Sequence, residues 1–269
     1  MMLIRQHARR EAASTLIWAV ALGFVGFITT YLWRVVLDSG SLNVLEETLE
    51  AAPGMVKAMI GTGGLAQLGV DGWVQAYVLA NWIAVPYAIF TALFVAGMVT
   101  REMDQRSMEF LLSLPVSRAR LLVARWLVLL GSLFLLHLAH LTGIRIGLAV
   151  LGEAGSLGRY AVAEANSLLL YLFLGSLLLA VSLFIDDYGT GAGAVLGLGV
   201  GLMLGYMATG ESTGVLQRLR SALPLAFYDV HAIVMQGDVP WGHMAFLGGG
   251  ALLLLALSVW LFERKQIAV

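Results

Sequence analysis

The sequence predicts an all-α membrane protein of six transmembrane helices with both termini in the cytoplasm. Three observations carry this. Of 269 residues, 59% are hydrophobic and 12% charged, where an ordinary soluble domain carries roughly 25% charged residues. Several apolar runs exceed the roughly 20 residues a helix needs to cross a hydrocarbon core of about 30 Å. The basic residues also fall unevenly between the connections. Net charge is -1 and cysteine is absent, which excludes disulfides, thiolate metal sites and cysteine nucleophiles.

The apolar runs place the spans at about 13–37, 73–99, 121–150, 161–185, 190–209 and 241–262. The first is too long for a signal-peptide core and lacks a convincing cleavage site, so it reads as an uncleaved span. Before it, Met2, Leu3, Ile4 and Ala8 alternate with Arg5, Arg9 and Arg10. That rhythm predicts an amphipathic elbow helix over 1–12 along the inner membrane surface. An even number of crossings puts both termini on one side. There lie Arg5, Arg9, Arg10, Arg101, Arg106, Arg118, Arg120, Arg125, Arg264 and Lys265; the other side holds Lys57, Arg159, Arg218 and Arg220. The positive-inside rule makes the first side cytoplasmic.

Two extracytoplasmic segments follow. Residues 38–72 are acidic early and broken by Pro53 and glycines, with Leu42, Leu45, Leu49 and Ala52 at the spacing of a short amphipathic helix. Residues 210–240 are moderately apolar and carry Pro224, which predicts a re-entrant or interfacial element. No internal repeat is visible, so residues 1–269 read as one membrane domain.

In the fifth span Gly189, Gly193, Gly197, Gly201 and Gly205 recur at every fourth position. Lacking Cβ atoms, such a ridge lets another helix approach closely. It reads either as a subunit interface or as packing within one subunit.

The connection between spans 2 and 3 is the densest in charge. Arg101, Glu102, Asp104, Arg106 and Glu109 would cost on the order of 10 kcal/mol at membrane depth, at about 3 kcal/mol per charge. Met103, Met108, Phe110, Leu111, Leu112 and Leu114 interleave with them, and no glycine or proline intervenes before Pro115. Glu102 and Arg106 stand four apart in the favourable order for a helical ion pair, with Arg101 and Gln105 on a neighbouring face. The segment predicts a cytoplasmic helix under the membrane, suited to docking a protein or, more simply, to linking two spans.

The run "REMDQRSMEFLLSLPVSRARLL" resembles the first cytoplasmic loop of ABC-2 type transporter permeases, through Glu102, Ser107, Glu109, Leu111, Leu112, Pro115, Val116, Ser117 and Arg118. Arg106-Ser107 stands where that family usually has Gly-Thr, and "FERKQI" is similar to the family's tail without its Asp. The resemblance implies that residues 101–114 form a coupling helix received by a cytoplasmic ATPase, with Arg101, Glu102, Met103, Gln105, Arg106, Ser107, Met108, Glu109, Phe110 and Pro115 carrying the contact. It implies two ATPase subunits, which would bind ATP and Mg, and a second copy or homologue of the permease. Membrane lipids are expected partners and nucleic acid is not.

A phosphate loop needs a glycine-rich run ending in Lys-Ser or Lys-Thr. The two lysines, Lys57 and Lys265, precede Ala58 and Gln266, so this chain is not expected to be an enzyme by itself, nor to hold a cofactor. His137 and His140 lie three apart in the third span, on one face. Two histidines fall short of the three protein ligands usual for catalytic zinc, so interhelical hydrogen bonding is the expected role. Tyr77, Asn81 and Thr91 give span 2 a mildly polar face that, with the histidines, could line a pathway. The function expected is export of an amphiphilic small molecule or lipid across a prokaryotic inner or cytoplasmic membrane. The alternative is an ion-coupled secondary transporter or channel worked by His137, His140 and Arg145.

Overall fold

A computed structural model describes residues 2–40, 47, 65–79, 84–98, 117–185, 187–209 and 213–264. Among these the chain forms helices α1 (Met2–Asp38), α2 (Leu65–Trp73), α3 (Ala84–Met98), α4 (Arg118–Leu151), α5 (Leu157–Ser182), α6 (Tyr188–Ala208), α7 (Val215–Ala222) and α8 (Trp241–Arg264). π-helical turns occupy Val74–Val78 and Ala232–Gln236, and a 3₁₀ turn Pro224–Phe227. Among the described residues five helices are long and apolar enough to cross a membrane: α1, α4, α5, α6 and α8.

One expectation changes. The separate elbow over 1–12 is instead the start of one 37-residue helix, α1, about 55 Å long at 1.5 Å per residue. No proline or glycine precedes Gly23 to interrupt it. Of the second span, the described residues form the π-helical turn to Val78, capped by Leu79, and the 15 apolar residues of α3 from Ala84. The helix predicted through Leu42, Leu45, Leu49 and Ala52 lies outside the described residues except for Glu47, and the coupling segment 101–114 lies wholly outside them.

Packing pairs α1 with α4, α5 with α8, and α3 with α6, and α5 also touches α3 and α4. The α1–α4 crossing is the tightest. A Cβ on Gly26 would sit 2.7 Å from the His140 carbonyl oxygen, one on Gly147 2.8 Å from Thr30 Cβ, and one on Gly143 would overlap the Gly23 carbonyl. Glycines at these positions bring two backbones into contact, the arrangement that helices use where lipid offers no hydrophobic drive. The α6 ridge differs. Added Cβ atoms at Gly193, Gly197, Gly201 and Gly205 would meet nothing within 4 Å, and that at Gly189 only Asp187 Oδ2 at 3.5 Å. Gly199, on another face, packs inward against Leu178 and Ala92.

Polar contacts order the two ends of the bundle. At one end His7 of α1 meets Phe94 of α3 edge-on, Arg125 donates to the Met98 carbonyl, and Arg118 donates to the Phe262 carbonyl at 3.2 Å. An arginine on the last carbonyl of α3 offsets the negative end of that helix. At the other end Asp71 accepts from the Ser156 amide at 2.9 Å, the Ser156 hydroxyl at 2.7 Å and the Tyr160 hydroxyl. Partial burial pushes the Asp71 carboxyl up, but these donors and Arg159 outweigh it and hold it below its ordinary range. In the segment that follows α6, α7 buries none of its residues, whereas Pro224, Leu225, Tyr228, Ile233 and Val234 are buried, and Arg159 donates to the Val234 carbonyl at 2.9 Å.

Candidate functional site

The polar centre of the bundle is built on α4 and α5. Helical spacing puts His137 and His140 on one face of α4, and Glu164 of α5 reaches both: His137 Nδ1 lies 2.6 Å from Oε2 and His140 Nδ1 2.6 Å from Oε1. All three are buried, at 3%, 1% and 5% exposure. With Glu164 ionised, both rings donate from Nδ1, so each carboxylate oxygen is satisfied. Both Nε2 atoms are buried and without a partner among the described residues. Glu164 thus meets two imidazoles and no Lys or Arg among the described residues.

Aromatic rings close the cluster. Tyr87 of α3 stacks on His137 at 4.3 Å with an 8° interplanar angle, and on Tyr171 at 5.0 Å. The Tyr171 hydroxyl donates to the Ala84 carbonyl at 3.2 Å, and the Tyr228 hydroxyl to the Leu79 carbonyl at 2.9 Å. Leu79 caps the π-helical turn and Ala84 opens α3. The last carbonyls of a helix lack intrahelical partners, and Tyr228 supplies one at Leu79. Burial, then the Glu164 charge, raises the Tyr228 hydroxyl well above its ordinary range, which keeps it a donor. A water-sized cavity of about 10 Å³ lies between Tyr87, His140, Glu164, Ser167, Tyr171 and Tyr228.

The histidine pair therefore hydrogen-bonds between helices as its spacing suggests, and its partner is the residue that the span-by-span reading passed over. Glu164 was nonetheless visible as the one acidic residue inside the six predicted spans; ionisable groups at that depth are functional candidates by default. Other candidates lie apart. Tyr77 sits in the π-helical turn against Trp73, with ring centroids 4.2 Å apart. Thr91 bonds the Tyr87 carbonyl within α3 at 2.8 Å. Arg145 is exposed on α4 and does not join the histidines. Asn81 and Arg101, Glu102, Met103, Gln105, Arg106, Ser107, Met108, Glu109, Phe110 and Pro115 lie outside the described residues. No cluster of three or more His, Asp or Glu suited to a metal occurs among the described residues.

No curated protein and no solved structure matches the chain. The family model described as ABC-2 family transporter protein matches residues 15–267. With its long apolar helices, the chain is a multi-pass membrane permease of an ABC transporter, partnered by an ABC ATPase, and it belongs to the ABC-2 transporter family.

Proposed function

We propose that this chain is the membrane subunit of an ATP-driven exporter of an amphiphilic small molecule or lipid, working beside a second copy or close homologue in a prokaryotic cytoplasmic membrane. Two ATPase subunits bind ATP and Mg and act through residues 101–114. The observation that carries this is the family match over residues 15–267, which includes the charged connection whose sequence resembles the coupling loop. Its flanks support the role. Arg125 joins the end of α3 to α4, and Arg118 joins the start of α4 to the end of α8, so force applied to the segment between them reaches three helices. The open glycine face of α6 is the surface offered to the second permease.

The test is replacement of Glu102 and Arg106 by alanine with quantification of ATPase copurified in mild detergent. Association falls at least about tenfold, the equivalent of about 1.4 kcal/mol, while the permease still folds. Nucleotide hydrolysis or uphill flux by the purified permease alone overturns the proposal.

A further inference from the structure

Helix α7 is amphipathic and uncovered. It buries none of its residues, and Val215, Leu216 and Leu219 are each more than half exposed. At about 100° per residue, Ala222, Val215, Leu219 and Leu216 fall within one arc of about 120°, with Gln217 and Ser221 opposite. Arg218 and Arg220 stand at the two edges of that arc. Large aliphatic side chains gathered on one face gain by leaving water, so the face calls for an apolar cover.

The surroundings of α7 fix its depth. The Arg220 guanidinium lies 4.3 Å from the centroid of the Tyr206 ring, in the last turn of α6, a cation–π contact that ties the two helices. Just beyond α7 the chain turns inward at the buried Pro224 and Leu225. Trp241, exposed at the start of α8, lies at the same end of the bundle. Tyrosine and tryptophan concentrate at the boundary between hydrocarbon and headgroups, so these two rings mark the level at which α7 sits.

Charge selects what covers it. Between Glu211 and Asp229 the sequence carries Arg218 and Arg220 and no acidic residue. Arg218 is exposed and pairs with no carboxylate among the described residues. Eight residues fall well short of the roughly 20–30 a side that a stable protein interface uses. A short helix whose aliphatic face is edged by arginines suits the headgroup layer, where alkyl groups meet acyl chains and guanidinium meets phosphate.

We propose that α7 lies in the headgroup layer of the leaflet at this end of the bundle and binds anionic phospholipid, with Val215, Leu216 and Leu219 entering the acyl region and Arg218 bonding a lipid phosphate. Arg220 holds the helix to Tyr206. The site needs a bilayer but neither ATP nor the ATPase, so it stands apart from the exporter reading.

The chain contains no cysteine, so single cysteines report cleanly. Full-length permease carrying Leu219→Cys or Gln217→Cys is labelled with bimane and placed in nanodiscs of equal parts phosphatidylcholine and phosphatidylglycerol, with dibrominated acyl chains on one lipid or the other. Positions 217–219 are exposed, and substitutions at such sites leave folding nearly unchanged. Quenching is strong at Leu219 and weak at Gln217, because the first label alone reaches acyl chains. At Leu219 phosphatidylglycerol is enriched about fivefold over phosphatidylcholine, and Arg218→Gln lowers that enrichment at least about threefold, as expected for one arginine near an anionic surface. Equal quenching at the two positions, equal occupancy by the two lipids, or an enrichment unchanged in Arg218→Gln overturns the proposal. Leu219→Cys chains that form a disulfide with each other while the label escapes quenching assign the face to a second copy, and overturn it as well.

Discussion

Glu164 offers the sharpest test of what holds α4 to α5, because two buried donors depend on one side chain. Glu164→Leu removes both acceptors and leaves His137 Nδ1 and His140 Nδ1 unpaired in the bundle. In a membrane the unfolded reference state also keeps its helices in lipid, so the burial of the charge itself largely cancels and the lost partners remain. Interhelical hydrogen bonds in bilayers average about 0.6 kcal/mol and reach about 1.7. Two bonds of 2.6 Å to a carboxylate belong at the upper end, since charge-assisted bonds are short and roughly twice as strong as neutral ones. The expected loss is therefore about 3 kcal/mol, more than a hundredfold in the folding equilibrium. Glu164→Gln keeps one acceptor and loses about half as much. The triple variant Glu164→Leu, His137→Leu, His140→Leu strands neither imidazole nor carboxylate and recovers much of the loss, as apolar replacements of buried charged clusters do. Equilibrium unfolding by SDS titration from mixed micelles, followed by tryptophan fluorescence, gives all three values. A Glu164→Leu variant as stable as wild type, or a triple variant less stable than Glu164→Leu alone, refutes the view that partner satisfaction governs this cluster.

Gly143→Leu drives a side chain into the Gly23 carbonyl of α1; overpacking of this kind costs about 1–3 kcal/mol where the backbone can shift, and the same titration reads it. Gly201→Leu on the open face of α6 leaves monomer unfolding within about 1 kcal/mol of wild type and lowers the dimer fraction measured by native mass spectrometry. Asp71 has a folded-state carboxyl held below its ordinary value by Ser156 and Tyr160, so its contribution is present above the unfolded value of about 3.9 and is lost as pH falls through the lower folded value. The melting temperature of the wild type accordingly loses its margin over Asp71→Asn below about pH 4, and a margin independent of pH refutes the assignment. Tyr171→Phe combined with Tyr228→Phe frees the Ala84 and Leu79 carbonyls of these donors, and hydrogen exchange at residues 79–84 rises in the double variant while that of α4 does not.

What could be seen beforehand follows from which forces act locally. Five long apolar helices were legible because a run that must cross lipid has to be apolar along its whole length, and α4, α5, α6 and α8 begin and end within a few residues of the hydropathy limits. The helix end at Val78 was not, because the run from Leu79 stays apolar; the one local signal was Pro86, in the first turn of α3. The Leu79 carbonyl is met by the Tyr228 hydroxyl, 149 residues away in the chain. The glycines mislead for a similar reason. A regular four-residue ridge is conspicuous on α6, yet the tight crossing uses Gly23 and Gly26 against Gly143 and Gly147, pairs too short to stand out in a chain with 31 glycines. The histidines were legible as an interhelical pair from their spacing, whereas their partner required knowing which face of α5 meets α4.

Glu164 and the helix end at Leu79 share a physical need. A carboxylate in lipid requires donors, and so do the last carbonyls of a helix. The rings of Tyr87, His137 and Tyr171 form one stack, and from this layer His137 donates to Glu164 while Tyr171 donates to Ala84. Moving α3 against α5 therefore cannot disturb the carbonyls without shifting the rings that bind the carboxylate. If force from the ATPase enters at the ends of α3 and α4, where Arg125 and Arg118 are anchored, it arrives at both sides of this layer through the two helices that share it. A cycle that displaces α3 relative to α4 would then change the donors around Glu164 at the same time as the opening between those helices. In double-mutant cycles, Tyr171→Phe and Glu164→Gln should accordingly be non-additive in ATP-driven transport, by more than the roughly 0.5 kcal/mol scatter of independent sites; additive effects would separate the Ala84 contact from the carboxylate.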